Sequence, residues 1–209
     1  MNISKKVAEY LLQSKAIKLQ PTNPFTWASG WKSPIYCDNR KTLAFPEVRT
    51  YIKKAFAETI KKNFISFDVI AGVATGAIAQ GALVADIMEK PFCYIRSSPK
   101  DHGLTNLIEG NLQPGQKVIV IEDLISTGGS SLKAVEAIRN AGAEVVGMVA
   151  IFTYGFPTAI ESFEKADVKL VTLSNYFSLI EKAVESGYVK PEQTEILKLW
   201  REAPDKWGV

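Results

Sequence analysis

The stretch of the chain with the most potential for chemistry is residues 118–130, which read VIVIEDLISTGGS. The branched apolar residues predict a buried strand that leads into a helix, and in an open parallel sheet ligands bind beyond the carboxyl ends of the strands. Glu122 and Asp123 are costly to desolvate there unless a partner binds them, so sugar hydroxyls or a hydrated cation are the expected partners. This end of the strand is therefore a candidate binding site.

The small residues that follow, 126–130, suit a phosphate group. Their hydroxyls, glycines and free backbone N–H groups let a phosphate approach closely, and the positive end of the following helix attracts it. The pattern is neither a Walker A loop nor the dinucleotide turn Gly-x-Gly-x-x-Gly. A ligand with both phosphate and hydroxyl groups is a phosphosugar. The alternative is structural: the acids only cap the helix, and the glycines only turn the chain.

A second candidate segment is basic. Arg96, Lys100 and His102 lie within seven residues, and His102 is the only histidine of the chain. Three potential cations suit a diphosphate, although a solvated basic loop is the simpler alternative. The stretch 97–116 has no strong helix or strand pattern, which is typical of a mobile active-site lid. The turn at residues 69–77 also offers backbone amides to an anion, but small-residue turns of this kind are common.

The composition excludes several functional classes. The 209 residues are 46% hydrophobic and 22% charged, and the net charge of +3 comes from 25 basic and 22 acidic residues. That charge is too small and too scattered to indicate nucleic-acid binding. Residues 1–20 contain several lysines, and no apolar run approaches the roughly 18 residues that span a bilayer, so we expect a cytoplasmic protein without membrane contact. Cys37 and Cys93 are expected to be free thiols.

The elements that must position these residues follow from periodicity. Short apolar runs predict strands at 69–73, 92–96, 117–121, 145–152 and 169–173, and helical spacing predicts helices at 4–12, 46–62, 77–89, 131–140, 157–164 and 177–200. Ser4 is the predicted cap of the first helix. Residues 25–40, here called the lid, read as a hairpin or lid rather than core. The expected fold is α/β, with a mainly parallel central sheet flanked by helices.

We expect a single domain over residues 1–209. Within it, residues 1–45 would form the N-terminal helix and the lid, residues 65–175 the phosphosugar-binding core, and residues 176–209 the C-terminal helices.

Residues 118–130 resemble the diphosphoribose-binding signature of the type I phosphoribosyltransferases. Residues 94–103 with 108–110 resemble the mobile catalytic loop of the orotate phosphoribosyltransferases in that superfamily, and the lid resembles their base-binding lid. The similarity covers nearly the whole chain. It implies transfer of a phosphoribosyl group from 5-phosphoribosyl-1-diphosphate to orotate, with Mg²⁺ as the cofactor, held mainly by substrate and water rather than by direct protein ligands. It also implies a homodimer in which the mobile loop acts in the partner's site.

The resemblance further assigns roles to residues. It implies that Lys100, His102 and Asp123 are catalytic. The residues implied to bind orotate are Ser126 and, in the lid, Ile35 and Tyr36. The residues implied to bind the phosphoribosyl diphosphate are Arg96, Lys100, His102, Glu122, Asp123, Leu124, Ile125, Ser126, Thr127, Gly128, Gly129 and Ser130.

The chain departs from some relatives at three positions. Ala28, Gly76 and Ser97 stand where those relatives carry basic residues, so substrate binding must depend on fewer fixed cations. Three other functions remain possible interpretations: a purine phosphoribosyltransferase, a non-catalytic regulator that binds RNA, and a phosphosugar-binding protein without transferase activity. The Lys-x-His-Gly loop argues against the first, and the spread-out lysines argue against the second.

Overall fold

The computed structural model describes residues 2–27, 30–98 and 107–207. The described chain begins with α1 (Ile3–Gln13), which confirms the predicted first helix. The predicted cap was wrong: the side chain of Asn2 accepts a hydrogen bond from the Ser4 N–H at 2.9 Å. Ser4 itself already lies in the first turn, because the helix begins one residue earlier than its apolar spacing indicates.

The remaining elements of the N-terminal region are short. They are β1 (Ile17–Leu19), β2 (Phe25–Thr26), β3 (Lys32–Ser33), β4 (Ile35–Cys37), a 3₁₀ turn (Asn39–Ala44) and α2 (Pro46–Asn63). The lid contains the predicted hairpin, in which β2 and β3 pair antiparallel, whereas β4 pairs with β1. Its second half is not a surface feature, since Ser33, Ile35 and Asn39 are all buried. The lid is therefore anchored in the core, contrary to the prediction.

A six-stranded sheet forms the centre of the fold, with the order β10, β9, β8, β5, β6, β7. Neighbouring strands pair in parallel except β7, which runs antiparallel to β6, so the predicted α/β class with a mainly parallel sheet is confirmed. Its elements are β5 (Val69–Val73), α3 (Ile78–Met88), β6 (Phe92–Ile95), β7 (Ile108–Glu109), β8 (Lys117–Ile125), α4 (Gly129–Asn140), β9 (Glu144–Thr153), α5 (Pro157–Lys165) and β10 (Leu170–Asn175).

Both faces of the sheet are covered, which explains why its strands are apolar runs rather than alternating patterns. In β8, Ile119 and Ile121 contribute to the core on one face, and Val118 and Val120 to the core on the other. The C-terminal elements are α6 (Tyr176–Glu185), a 3₁₀ turn (Pro191–Gln193) and α7 (Thr194–Glu202), and the two helices add to the first of these cores. The sheet thus provides a rigid base for the loops at its carboxyl edge.

The boundaries of β8 matter for function. The predicted strand ended at residue 121, but β8 continues to Ile125 because β9 runs alongside it and pairs Glu122 with Ala150 and Leu124 with Phe152. Glu122 and Asp123 therefore lie inside the ladder rather than in the loop after it. The short strand β7 was also missed, since two residues are too few to show a period.

Two other expectations concern the whole molecule. Cys93 is a buried free thiol and Cys37 a partly buried one, so neither forms a disulfide, as predicted. Across the part of the chain that the structure describes, no helix combines the length and apolar character needed to cross a membrane.

Candidate functional site

A cleft of ≈ 380 Å³ opens at the carboxyl ends of β5 and β8. Parallel strands end at the same edge of the sheet, which brings the turn after β5 and the residues after β8 together. The cleft is lined by Cys37, Asp38, Arg40, Val73, Ala74, Thr75, Gly76, Glu122, Asp123, Leu124, Ser126, Thr127, Gly128, Ser130 and Ser131. The phosphate-binding pattern and the acidic residues predicted from sequence thus face one cavity.

The small residues 126–130, here called the cradle, lead directly into α4. Gly128 occupies the N-cap position with φ +85°, a left-handed conformation that favours glycine, and it has no side chain with which to cap the helix. The first N–H groups of an α-helix have no carbonyl partner within the helix. These N–H groups, together with the positive end of the helix dipole, form a binding site suited to a phosphate.

Glu122 and Asp123, here called the acid pair, differ in environment. Glu122 is only 4% exposed, and its carboxylate accepts hydrogen bonds from the Asp123 N–H at 2.9 Å and the Ser131 hydroxyl at 2.7 Å. Burial, and then the neighbouring Asp123 carboxylate, raise the pKa of Glu122 to about 8. Burial thus favours the protonated form of Glu122, which carries no negative charge.

Asp123 is fixed through its backbone. The side-chain amide of Asn39, which is 1% exposed, donates a hydrogen bond of 2.6 Å to the Asp123 carbonyl oxygen. A Cβ atom built on Gly76 would lie 2.5 Å from Cγ of Asp123, so the absence of a side chain at residue 76 leaves room for this carboxylate. The lid and the turn after β5 together determine where the acid lies.

A second cavity, of ≈ 340 Å³, adjoins the cleft and is here called the base cavity. It is lined by Thr26, Trp27, Tyr36, Cys37, Leu124, Ser126 and Tyr154. Cys37, Leu124 and Ser126 line both cavities. Desolvation raises the pKa of the Tyr154 phenol and of the Cys37 thiol, so both groups remain neutral and do not repel an anionic ring. A planar ring bounded by aromatic side chains would sit next to the cradle.

Arg96 lies in a third cavity, of ≈ 620 Å³, on the far side of the α4 N-terminus. Its N–H donates to the Leu107 carbonyl at 2.8 Å, and its guanidinium approaches the Glu109 carboxylate at 3.6 Å. This cavity shares Ser130 and the turn residues Val73 and Ala74 with the cleft. Arg96 is thus adjacent to the cleft rather than part of its wall.

The structure brings most of the predicted site residues together. Those that line the cleft are Glu122, Asp123, Leu124, Ser126, Thr127, Gly128 and Ser130, and Tyr36 and Ser126 line the base cavity. Gly129 lines the third cavity with Arg96. Lys100 and His102 lie outside the described residues.

Two predicted site residues lie behind the cavities. Ile125 is buried in the core, and its carbonyl accepts hydrogen bonds from Tyr154 and Thr153. Ile35 is also buried; its carbonyl accepts from Trp27 Nε1 and the Ser33 hydroxyl, and its N–H donates to that hydroxyl. Neither residue lines any of the three cavities, so each can act only by supporting its neighbours.

Several residues of the site were missed from sequence. Asn39, Arg40, Ser131 and Tyr154 were not singled out, although each lines a cavity or holds the acid pair. The polar triplet 38–40 directly after an apolar strand was a possible signal for two of them. Tyr154 carried no such signal, because an aromatic residue at the end of a strand is usually core.

The donor set fits Mg²⁺ that is held mainly by substrate and water. Asp123 offers a hard carboxylate group next to the cradle, and Mg²⁺ usually combines one or two such groups with phosphate oxygens and water. Within residues 2–27, 30–98 and 107–207 no group of three or more His, Cys, Asp or Glu side chains forms a closed metal site.

Known proteins resemble this chain in both sequence and fold. Residues 42–184 match the family model "Phosphoribosyl transferase domain". The chain is 63% identical over 207 residues to the orotate phosphoribosyltransferase of Porphyromonas gingivalis, and the alignment covers 99% of each protein. It is 58% identical over 208 residues to the orotate phosphoribosyltransferase of Listeria monocytogenes, and that alignment covers 100% of each protein. The crystal structure of orotate phosphoribosyltransferase from Aeropyrum pernix matches with a TM-score of 0.75 at 26% identity and covers 88% of this chain and 99% of that one.

Proposed function

Because this chain belongs to the phosphoribosyltransferase family and, within it, to the orotate phosphoribosyltransferases, we propose that the cleft and the base cavity together form its active site. The enzyme is a pentosyltransferase. It transfers the phosphoribosyl group of 5-phosphoribosyl-1-diphosphate to orotate and gives orotidine 5′-monophosphate and diphosphate, a reaction of pyrimidine nucleotide synthesis.

One observation supports this assignment of the site above all others. The phosphate cradle, the acid pair and a ring-sized aromatic cavity are contiguous, because Leu124 and Ser126 belong to the walls of both cavities. A phosphoribosyl group between them would have its 5-phosphate at residues 126–130, its hydroxyls at the acid pair and its C1 facing the base cavity.

In the reaction an orotate nitrogen loses its proton to solvent and forms a bond with C1 of the ribose, and the bond from C1 to the diphosphate oxygen breaks. Positive charge develops on the sugar as the diphosphate leaves. We assign to Asp123 the stabilisation of this charge, since a carboxylate fixed in advance costs no reorganisation when the charge appears. The Asn39 hydrogen bond to the Asp123 backbone provides that fixation.

Protonation of Glu122 has a place in the same scheme. The substrate is a polyanion, and two adjacent ionised carboxylates would repel it. A protonated Glu122 keeps its hydrogen bonds to Ser131 and to the backbone and donates or accepts at a ribose hydroxyl without adding charge. The acid pair then stabilises the developing cation mainly through Asp123.

Further parts of the proposal lie beyond the described residues or the single chain. Lys100 and His102 would neutralise the leaving diphosphate, together with Arg96, and would exclude water that could hydrolyse the sugar intermediate. When it is bound, Mg²⁺ supplies neutralisation of the diphosphate charge. We also propose a cytoplasmic homodimer in which Lys100 and His102 act in the partner's site.

The experiment that tests this function is a competition between bases. Purified protein is incubated with 5-phosphoribosyl-1-diphosphate, Mg²⁺ and orotate, uracil, hypoxanthine or adenine, and the nucleotide products are separated by chromatography. We expect that only orotate is converted, because the relatives that this chain matches over its full length are orotate phosphoribosyltransferases. We also expect EDTA to stop the conversion and added Mg²⁺ to restore it. Conversion of hypoxanthine at a comparable rate would instead make the chain a purine enzyme.

A further inference from the structure

Arg40 lines the cleft but has not been assigned a function. It is the one positively charged side chain among the described residues that line the cleft, whereas the acidic side chains there are Asp38, Glu122 and Asp123. A cleft that accepts a polyanion needs cations near the negative groups. Gly76 and Ser97, where some relatives have basic residues, provide none, so Arg40 is the described side chain in the wall of the cleft itself that can do so.

The guanidinium of Arg40 is held at one end and open at the other. Its Nε donates to Asp38 Oδ1 at 2.7 Å, and the Asp38 side chain is mostly buried. The Nη groups make no hydrogen bond or ion pair with any residue that the structure describes. An arginine oriented in this way presents a planar pair of donors, the geometry that binds phosphate oxygens in a bidentate manner.

The position of Arg40 along the cleft indicates which anion it would meet. The 5-phosphate belongs at the cradle, where the α4 N–H groups already serve it, and the ribose hydroxyls belong at the acid pair. The wall that remains includes Cys37, Asp38, Arg40 and residues 73–76. Asn39, next to Arg40, holds the Asp123 carbonyl, which places Arg40 beside the acid pair rather than at the cradle.

We propose that Arg40, oriented by Asp38, binds the diphosphate group of 5-phosphoribosyl-1-diphosphate and contributes a fixed cation that the turn after β5 lacks. This inference rests on the proposed function. It adds a substrate-binding residue on the lid, so that the lid contacts the leaving group as well as the base. Lid position and diphosphate binding are then coupled.

The test compares three ligands. Dissociation constants of 5-phosphoribosyl-1-diphosphate, ribose 5-phosphate and orotate are measured by calorimetry, with Mg²⁺, for the wild type and for Arg40→Gln, Arg40→Lys and Lys54→Gln. Lys54 is exposed on α2 and does not line the cleft, so its variant carries the same charge change as a control. We expect Arg40→Gln to raise the dissociation constant of 5-phosphoribosyl-1-diphosphate about tenfold. The dissociation constants of the other two ligands should change by less than about twofold, since only the first ligand carries a diphosphate. The dissociation constant of 5-phosphoribosyl-1-diphosphate for Arg40→Lys should lie between those for the wild type and for Arg40→Gln. The constant for Lys54→Gln should match that for the wild type.

Asp38→Ala provides an independent variant, since it keeps the cation but removes the side-chain acceptor that orients it. It should weaken the binding of 5-phosphoribosyl-1-diphosphate alone, and by less than Arg40→Gln does. It also serves as the test if Arg40→Gln does not fold. An unchanged affinity for 5-phosphoribosyl-1-diphosphate in folded variants overturns the inference, as does an equal loss for all three ligands. If the wild type forms orotidine monophosphate while the variants bind normally, only the role of Arg40 fails. If the wild type neither binds nor reacts, the proposed function fails and the inference with it.

Discussion

Replacing Glu122 by glutamine should change how the stability of the protein depends on pH. Glutamine has nearly the same shape and stays neutral at every pH, so it mimics the protonated acid. The wild-type carboxyl group is buried in the folded chain with a pKa of about 8, against a reference value of 4.5. The substitution therefore removes a titration while it preserves the packing and the capacity to bond to Ser131.

The sign and size follow from linkage between protonation and folding. Between pH 4.5 and about 8 the folded state keeps the proton on Glu122 while the unfolded state releases it, so the wild type loses stability as pH rises through this window. The loss is about 1.4 kcal/mol per pH unit, or roughly 4 kcal/mol across the window, on the scale of 1.36 kcal/mol per unit of pKa shift. Relative to the wild type, Glu122→Gln should become progressively more stable by that amount.

The assay is urea unfolding of both proteins at pH 5.5, 7 and 8.5, which yields the difference in the free energy of unfolding at each pH. Glu144→Gln is the control, because Glu144 is an exposed carboxylate at the start of β9, and its difference should stay flat. A Glu122→Gln difference that is equally flat would show that Glu122 is ionised throughout, and the proposed neutral partner of the ribose would have to be abandoned.

Three further predictions test the cradle and the basic residues. Gly128→Ala should destabilise the fold by about 1–3 kcal/mol, since φ is +85° and the new Cβ would lie 2.9 Å from a phenylalanine ring on α5, whereas Gly129→Ala, with nothing within 4 Å of its Cβ, should cost much less in urea unfolding. Lys100→Ala and His102→Ala should each lower kcat far more than they weaken orotate binding. If kcat and orotate affinity fall by the same factor, the two side chains act on the base instead. Mixing inactive Lys100→Ala and Asp123→Asn proteins should restore about a quarter of wild-type activity, because half of randomly exchanged dimers are mixed and each has one intact site. No recovery, with subunit exchange verified by mass, would place the loop over its own chain's cleft.

The sheet could be predicted from sequence where strands are buried on both faces. Residues 69–73 were predicted and observed as a strand with the same bounds, since an apolar run between turn signals has few other uses in a parallel sheet. The end of β8 could not be predicted in this way. Glu122 and Asp123 interrupt the apolar pattern, and only the pairing with β9, a partner distant in sequence, keeps them in the strand.

The site was predictable as a set of loops but not as a set of contacts. The cradle carries its own chemistry in adjacent residues, so its position at a helix N-terminus followed from the pattern. Asn39 and Asp123 are 84 residues apart, and nothing in their spacing indicates a hydrogen bond between them. The protonation of Glu122 depends on the depth of its burial, which a sequence pattern does not specify.

The central claim is that Asp123 in this cleft stabilises the transition state for transfer of the phosphoribosyl group to orotate. One rate measurement tests it most directly. Formation of orotidine monophosphate is followed with saturating substrates and Mg²⁺ for the wild type and for Asp123→Asn, prepared side by side. Asparagine is nearly isosteric with aspartate, and the Asn39 bond is made to the backbone of residue 123, so the variant should keep the same fold. We predict that the wild type forms the product and that the variant is slower by about 10² or more, because a fixed charge facing the transition state is worth a few kcal/mol. Equal rates in the two proteins, or no product from either, would contradict the account.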